Sequence, residues 1–162
     1  MKTFTAPLLE LAGYEEIQKK YRTKSGMTLI DGCVTSQKTH MIYALSDGCP
    51  YTVIVLSDEE KAKKMLEEYR FLEENVCFYP AKDFLFYQAD IHGKELIRER
   101  IEAIRMMLEK GKDGVTIITT FDAFMDKMVS KENLQKQIMT LKAGDVVDLE
   151  QLICQISGLG YD

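Results

Sequence analysis

The sequence predicts an α/β protein built on a parallel sheet. Short apolar runs at Tyr51–Leu56, Val76–Tyr79 and Val115–Thr119 alternate with longer segments of helical periodicity. This alternation is typical of parallel strands joined by right-handed helical crossovers. A further indication is the run Gly32–Thr39, Gly-Cys-Val-Thr-Ser-Gln-Lys-Thr, which differs by one residue from a phosphate-binding loop.

In the first third of the chain, the sequence pattern predicts a helix, a short strand, the loop and a second helix, in that order. Proline at a first helical position predicts a helix over Pro7–Tyr21, with Leu8, Leu11, Ala12, Ile17 and Tyr21 near one face. We expect Thr28–Ile30 to form a short strand that leads into the Gly32 loop, and Lys38–Ser46 to form the next helix. The nearly unbroken apolar run Tyr51–Leu56 is typical of a strand that is buried on both faces.

The sequence Ser57-Asp58-Glu59-Glu60 has two interpretations. It resembles a magnesium-binding acid pair at a strand end, but Ser57 and Glu60 also have the spacing of a capping box. We favour the capping box, with Ser57 as the cap of a helix over Asp58–Leu72, because an acidic first turn suits the helix dipole.

The remaining elements predict one complete domain and the beginning of another. Helices are expected over Lys94–Leu108 and Phe121–Met128. After Ser130 the pattern predicts a strand over Gln137–Leu141 and a helix over Leu149–Leu159. We therefore predict a first domain over residues 1–135 and the opening of a second, small α+β domain over residues 136–162, in a chain that is a fragment of a longer protein.

Composition excludes several classes of function. The chain has 162 residues and a net charge of −5. Its overall electrostatic field therefore does not attract nucleic acid. The cysteines, Cys33, Cys49, Cys77 and Cys154, form no C-x-x-C pair, which argues against a zinc site and for reduced thiols. The sequence has neither a signal peptide nor an apolar run long enough to cross a membrane, so we expect a cytoplasmic protein.

The loop retains only part of the chemistry that binds a nucleotide. Gly32, Lys38 and Thr39 match the pattern, but Gln37 replaces the glycine that lets the backbone approach a phosphate. A left-handed conformation at Gln37 would cost about 1–2 kcal/mol. Asp122, after the later strand, is a single acid where hydrolysis needs a magnesium-binding acid box. We predict a relic loop, with no bound cofactor, no metal and no catalytic residue in this chain.

Two other groups of residues allow a functional and a structural interpretation. A basic set could contact phosphates, although pairing with Glu95, Glu99 and Glu102 on a helix surface is favoured. An aromatic set could stack on bases, although packing on the core is favoured. The basic residues are Lys82, Lys94, Arg98, Arg100 and Arg105, and the aromatic residues are Phe84, Phe86 and Tyr87.

The order of several segments resembles a known family. After the altered loop come Val53-Ile54-Val55-Leu56-Ser57-Asp58, Tyr79-Pro80-Ala81-Lys82-Asp83-Phe84-Leu85-Phe86-Tyr87, Arg98-Glu99-Arg100-Ile101-Glu102-Ala103-Ile104, Val115–Phe124, Leu141-Lys142-Ala143-Gly144-Asp145 and Leu159-Gly160-Tyr161. Together they resemble the N-terminal, UvrB-like region of bacterial transcription-repair coupling factors (Mfd), and more distantly UvrB, from about Pro7 to the last residue.

This resemblance implies a RecA-like, three-layer fold of the P-loop NTPase type that has lost ATPase activity. It implies a scaffold role in a protein that links stalled RNA polymerase to nucleotide excision repair by recruiting UvrA. The UvrA-binding domain would begin near residue 136. RNA polymerase, double-stranded DNA, ATP and magnesium would bind to other domains of that protein, which is an ATP-dependent DNA translocase. The segment Tyr87–Gly93 is too short for the damage-probing hairpin of UvrB.

Two other functions remain open from the residues alone. One is a nucleotide-binding P-loop enzyme, such as a small helicase-like ATPase, which would need Lys38 for binding. The other is a nucleic-acid-binding module, which would bind DNA with steep salt dependence.

Overall fold

The computed structural model describes residues 4–23, 26–82, 92–110, 113–127, 133, 141–150 and 152–153. The chain divides into two compact units, Met1–Asp126 and Lys127–Asp162. The sheet and the helices named below lie in the first unit. The predicted domain boundary after residue 135 stays a prediction.

From α3 onward the described elements alternate between helices and strands, as the periodicity predicts. The helices are α1 Ala6–Leu9, α2 Tyr14–Thr23, α3 Thr35–Leu45, α4 Glu59–Arg70, α5 His92–Lys110 and α6 Phe121–Met125. The strands are β1 Tyr51–Leu56, β2 Val76–Tyr79 and β3 Val115–Thr120. The predicted strand β3 is thus one residue longer than expected. No helix in these ranges has both the length and the apolar character needed to cross a bilayer.

The three strands form a parallel sheet in the order β1-β3-β2. Helix α4 connects β1 to β2, whereas α5 returns from β2 to β3. Because these two crossovers run in opposite directions across the sheet and have the same hand, the helices cover opposite faces. The predicted α/β class with a parallel sheet is therefore confirmed.

Each face of the sheet has its own apolar core. On the α4 face, Tyr43 and Tyr69 meet edge to face, with ring centroids 6.1 Å apart, above the fully buried Ile118 of β3. On the α5 face, the buried Ala103 packs with Cys77, Val115 and Ile117. Helices α1 and α2 pack against α3 through a separate cluster, composed of Leu8, Tyr14, Met41, Ala44 and Leu45.

The single helix predicted over Pro7–Tyr21 is wrong, because the chain breaks between α1 and α2. Gly13 has a φ of +83°, a left-handed conformation that ends a helical path and that glycine adopts without steric cost. The break turns Tyr14 into the core, while Leu11 and Tyr21 of the predicted apolar face are exposed.

The strand predicted over Thr28–Ile30 is also wrong. These residues have no regular secondary structure, and the Leu29 side chain is 91% exposed. None of the three described strands pairs with these residues. Since a short apolar run forms a strand only when it pairs with another strand, this segment stays irregular.

Strand β1 has one exposed face, contrary to the predicted burial on both faces. Its side chains at Tyr51, Val53 and Val55 are 39–48% exposed, whereas Ile54 on the other face is buried. Helix α5 packs mainly over β2 and β3, whereas β1 lies at the edge of the described sheet, where its Tyr51 hydroxyl donates to the Met107 carbonyl of α5.

Several predictions fall partly or wholly outside the described residues. The end of the predicted helix over Phe121–Met128 does so, although the helix itself stops at Met125. Leu141 has no strand structure, and the rest of the predicted strand is outside the described ranges. Residues 149–150 and 152–153 are helical, whereas the later part of that predicted helix lies outside them, as do Phe84, Phe86, Tyr87 and Cys154.

Candidate phosphate-binding loop

The loop at Gly32 contains a left-handed glycine, but no strand among the described residues leads into it. Gly32 has a φ of +78°, and its amide donates a 2.7 Å hydrogen bond to the Asp31 carboxylate. In a nucleotide-binding loop, such amides point at phosphate oxygens. Here the preceding residues do not form a strand, so the sheet does not fix the start of the loop.

Helix α3 begins before Lys38 and not at it. Its first residue is Thr35, and the Lys38 amide donates a 2.9 Å hydrogen bond to the carbonyl of Val34. Only the first four amides of a helix lack an intrahelical acceptor, so the Lys38 amide is not available to a phosphate. The loop between Gly32 and the helix is correspondingly short.

Gln37 fits this helix without strain. It lies in the first turn of α3, and the non-glycine residue with a positive φ among the described residues is Phe4. The left-handed conformation considered for position 37 is therefore not adopted. The backbone at Gln37 is helical and does not have the conformation that surrounds a phosphate.

The Thr39 side chain faces helix α4. Its side chain is 2% exposed, and its hydroxyl donates a 2.8 Å hydrogen bond to a carboxylate oxygen of Glu68 on α4. In a working loop, this hydroxyl binds magnesium. Here the Glu68 carboxylate accepts the hydrogen bond of that hydroxyl. Its negative charge also opposes the approach of a phosphate.

The four loop residues that match or replace the P-loop pattern are thus not brought together as a site. Gly32 lies in the exposed turn, Lys38 is exposed on α3, and Thr39 is buried against α4. Gln37 is half-buried between them. The absence of a bound cofactor stays a prediction, and this geometry is a reason to expect it.

The acids after β1 are structural, although the predicted cap is one residue early. Asp58, not Ser57, is the N-cap of α4, and its carboxylate accepts a 2.9 Å hydrogen bond from the Lys61 amide. The Lys61 ammonium group, the Lys61 amide and the Ser57 hydroxyl also donate to this carboxylate, and they lower the pKa of Asp58 to about 2. The Asp58 carboxylate therefore caps the helix and binds neighbouring side chains.

No metal centre is formed by the acids, histidines and cysteines of the described residues. Asp122 lies exposed in the first turn of α6, which is capped by the Thr120 hydroxyl. Burial raises the pKa of the Cys77 thiol to about 11, with Glu102 as a smaller cause, so Cys77 is an inert core thiol. Cys33 and Cys49 are partly exposed.

One cavity among the described residues lies at the amino-terminal ends of the strands, opposite to the ends where ligands bind in open α/β folds. This cavity of about 310 Å³ is lined by Pro50 and Thr52 at the start of β1 and by Gly114 and Val115 at the start of β3. Ligands of open parallel sheets bind at the carboxyl ends of the strands. This cavity is therefore not placed as a nucleotide site of such a fold would be.

Arg100 is a residue whose role the sequence did not reveal. It was expected to pair with acids on its own helix surface, but it forms an ion pair with Asp126, 3.3 Å away, and its side chain is 12% exposed. Arg105 pairs with Glu109, at 3.0 Å, rather than with the predicted acids. Neither Asp126 nor Glu68 stands in a motif, so no sequence signal could have found these two contacts.

Comparisons with known proteins find sequence similarity to transcription-repair-coupling factors. A transcription-repair-coupling factor of Staphylococcus aureus (strain bovine RF122 / ET3-1) is 27% identical over 139 residues, which cover 83% of this chain and 12% of that protein. The protein of the same name from Staphylococcus aureus (strain USA300) is 26% identical over the same coverage. That of Haemophilus influenzae (strain ATCC 51907 / DSM 11121 / KW20 / Rd) is 24% identical over 111 residues, 68% of this chain and 10% of that protein.

The chain spans 12% or less of the length of these relatives. No protein-family model and no solved structure matches it. The chain is therefore similar in sequence to one stretch of the transcription-repair-coupling factors, which confirms the resemblance that its ordered segments predict.

Proposed function

We propose that this chain is a non-catalytic scaffold segment of a transcription-repair coupling factor. The observation that carries the proposal is the similarity to these factors along 83% of the chain. The parent protein would act in transcription-coupled DNA repair, where it links stalled RNA polymerase to nucleotide excision repair.

The contacts of Thr39 and Lys38 support the non-catalytic part of this proposal. The hydroxyl that would bind magnesium is held by Glu68, and the amide that would face a phosphate is part of α3. A segment with these contacts contributes shape and surface to the parent protein rather than ATP turnover. ATP and magnesium would be used by a motor domain elsewhere in the parent.

The finer parts of the proposal rest on the same resemblance. We assign the first unit a RecA-like, P-loop NTPase-type fold, for which the parallel order β1-β3-β2 with helices on both faces is a supporting observation. The domain that begins near residue 136 would recruit UvrA, while other domains would bind RNA polymerase and double-stranded DNA. The parent would work in the cytoplasm.

A segment exchange tests the proposed function. The matched stretch of the Staphylococcus aureus coupling factor is replaced by this chain, in cells that lack their own factor. After ultraviolet irradiation, we expect lesions to leave the transcribed strand faster than the other strand, as with the unmodified factor. Loss of this strand bias in a folded, normally expressed exchange protein would contradict the proposal.

Two variants of the exchange protein separate scaffold from enzyme. Lys38→Ala removes the residue that an ATPase needs, but it changes only an exposed side chain, so we expect the strand bias to persist. Tyr69→Ala removes a fully buried ring from the α4 core, and we expect the bias to disappear. A bias that Lys38→Ala abolishes would favour the nucleotide-binding enzyme instead.

A further inference from the structure

A cluster of charged and polar groups lies at the carboxyl-terminal ends of strands β2 and β3. The Arg100 guanidinium of α5 donates to the carbonyl of Pro80, at 2.6 Å, to the Asp126 carboxylate, at 3.3 Å, and to the Tyr79 hydroxyl. It also lies over the Tyr79 ring, 4.2 Å from the centroid. With 12% of its side chain exposed, Arg100 is held far more tightly than an ordinary surface arginine.

The cluster forms hydrogen bonds with both chain segments that follow these strand ends. One follows β2, where the Lys82 amide donates a 3.4 Å hydrogen bond to Asp126. The other follows α6, which ends beside Asp126, the last residue of the first unit. The Asp126 carboxylate therefore accepts hydrogen bonds from both the helix α5 and the segment after β2.

Helix α6 has little other attachment to the core. It has five residues, and Ala123 is its buried side chain, whereas Phe121, Phe124 and Met125 are 58–67% exposed. The apolar area that it buries is small, so packing alone holds its end weakly. The partly buried contact of Asp126 with Arg100 is the strongest polar restraint on that end among the described residues.

We propose that Arg100 is a positioning residue that fixes, through Asp126, the point at which the chain leaves the first unit for the second. The inference does not depend on the proposed function, because it follows from the contacts within the first unit. It assigns the cluster Tyr79–Arg100–Asp126 a role at the junction of two units and not a general role in core stability.

Limited trypsin digestion of the whole chain tests this role. Lys127 follows Asp126 directly, so cleavage after Lys127 reports local release of the junction. In Arg100→Gln and in Asp126→Asn, we expect this cleavage to be about tenfold faster, the factor that corresponds to loss of one charge-assisted hydrogen bond. Cleavage after Lys61, Lys63 and Lys64 of α4, followed by mass spectrometry in the same samples, reports opening of the rest of the unit.

Two comparisons make the result decisive. Arg105→Gln removes an exposed arginine from the same helix, and we expect it to leave the Lys127 cleavage rate unchanged. If Arg100 and Asp126 act as one contact, the double variant Arg100→Gln/Asp126→Asn is cleaved no faster than the faster single variant. The proposal is overturned if cleavage after Lys127 keeps its original rate, if it rises only in proportion to cleavage in α4, or if the two substitutions multiply.

Discussion

The pair Thr39–Glu68 shows how one side-chain contact redirects a familiar loop. The threonine is a residue that the nucleotide-binding pattern requires, yet its hydroxyl is buried against α4. Gln37 signals the altered loop in the sequence, because glycine at that point has a known physical purpose. Glu68 gives no such signal, since it lies 29 residues away on the surface pattern of another helix.

Gln37→Gly alone is not expected to create an ATP site. The Lys38 amide would still bond to Val34 within α3, and the Glu68 charge would still face Thr39. We expect isothermal titration with magnesium-ATP to give no binding heat, and we expect phosphate release to stay at background. Removing the charge as well, in Gln37→Gly/Glu68→Gln, still leaves no acid box for hydrolysis.

The control for this experiment is the same variant with Lys38→Ala. Heat or turnover that appears in Gln37→Gly and disappears when Lys38 is also replaced would reveal a nucleotide site that the present geometry does not offer.

Helix α4 illustrates what the sequence predicts for an element and what it misses. Its acidic start and its bounds near Asp58 and Leu72 are close to those observed. The capping residue is one position later than predicted, because serine and aspartate both cap helices well and the sequence contains them side by side. The observed backbone selects Asp58, which has the extended conformation of an N-cap, with a φ of −152°.

The contribution of Asp58 to stability should depend on pH. Its pKa falls from 3.8 to about 2 on folding, so the carboxylate stabilises the folded state above about pH 4 and this contribution is lost as the pH falls toward 2. Asp58→Asn keeps a capping oxygen without the charge. In thermal unfolding, we expect the difference between the original chain and Asp58→Asn to be largest above pH 4 and to disappear below about pH 2.

Ser57→Ala tests the corrected cap position by the same measurement. If Asp58 is the cap, Asp58→Ala lowers the melting temperature more than Ser57→Ala does. The opposite order would restore the predicted capping box at Ser57.

For the molecule as a whole, strand β1 combines a position at the edge of the described sheet with a partly exposed apolar face. It lies at the edge of the sheet, its sequence Tyr-Thr-Val-Ile-Val-Leu carries no charge, and Val53 is 48% exposed. Natural edge strands are usually protected by charged residues, proline or bulges, and β1 has none of these. An edge of this kind promotes association of the isolated chain with itself.

Val53→Lys should therefore reduce self-association of the isolated chain. The lysine would extend from the exposed face of β1, so we expect a change in stability of no more than about 1 kcal/mol. Light scattering over a concentration series should show smaller particles than for the original chain. Val34→Lys, at an exposed valine outside the sheet, is the matched control, and equal effects of both substitutions would show that general charge, not the edge, is responsible.

Local patterns in the sequence were sufficient for the α/β class, the three strands near Tyr51, Val76 and Val115, and the likeness to the coupling factors. They were sufficient because apolar periodicity and motif order are properties of neighbouring residues. Tertiary packing decided where α3 begins, where the helical segment is interrupted at Gly13 and which face of β1 is exposed. It also set the contacts Thr39–Glu68 and Arg100–Asp126, because their partners lie 29 and 26 residues apart and meet only when the helices pack on the sheet.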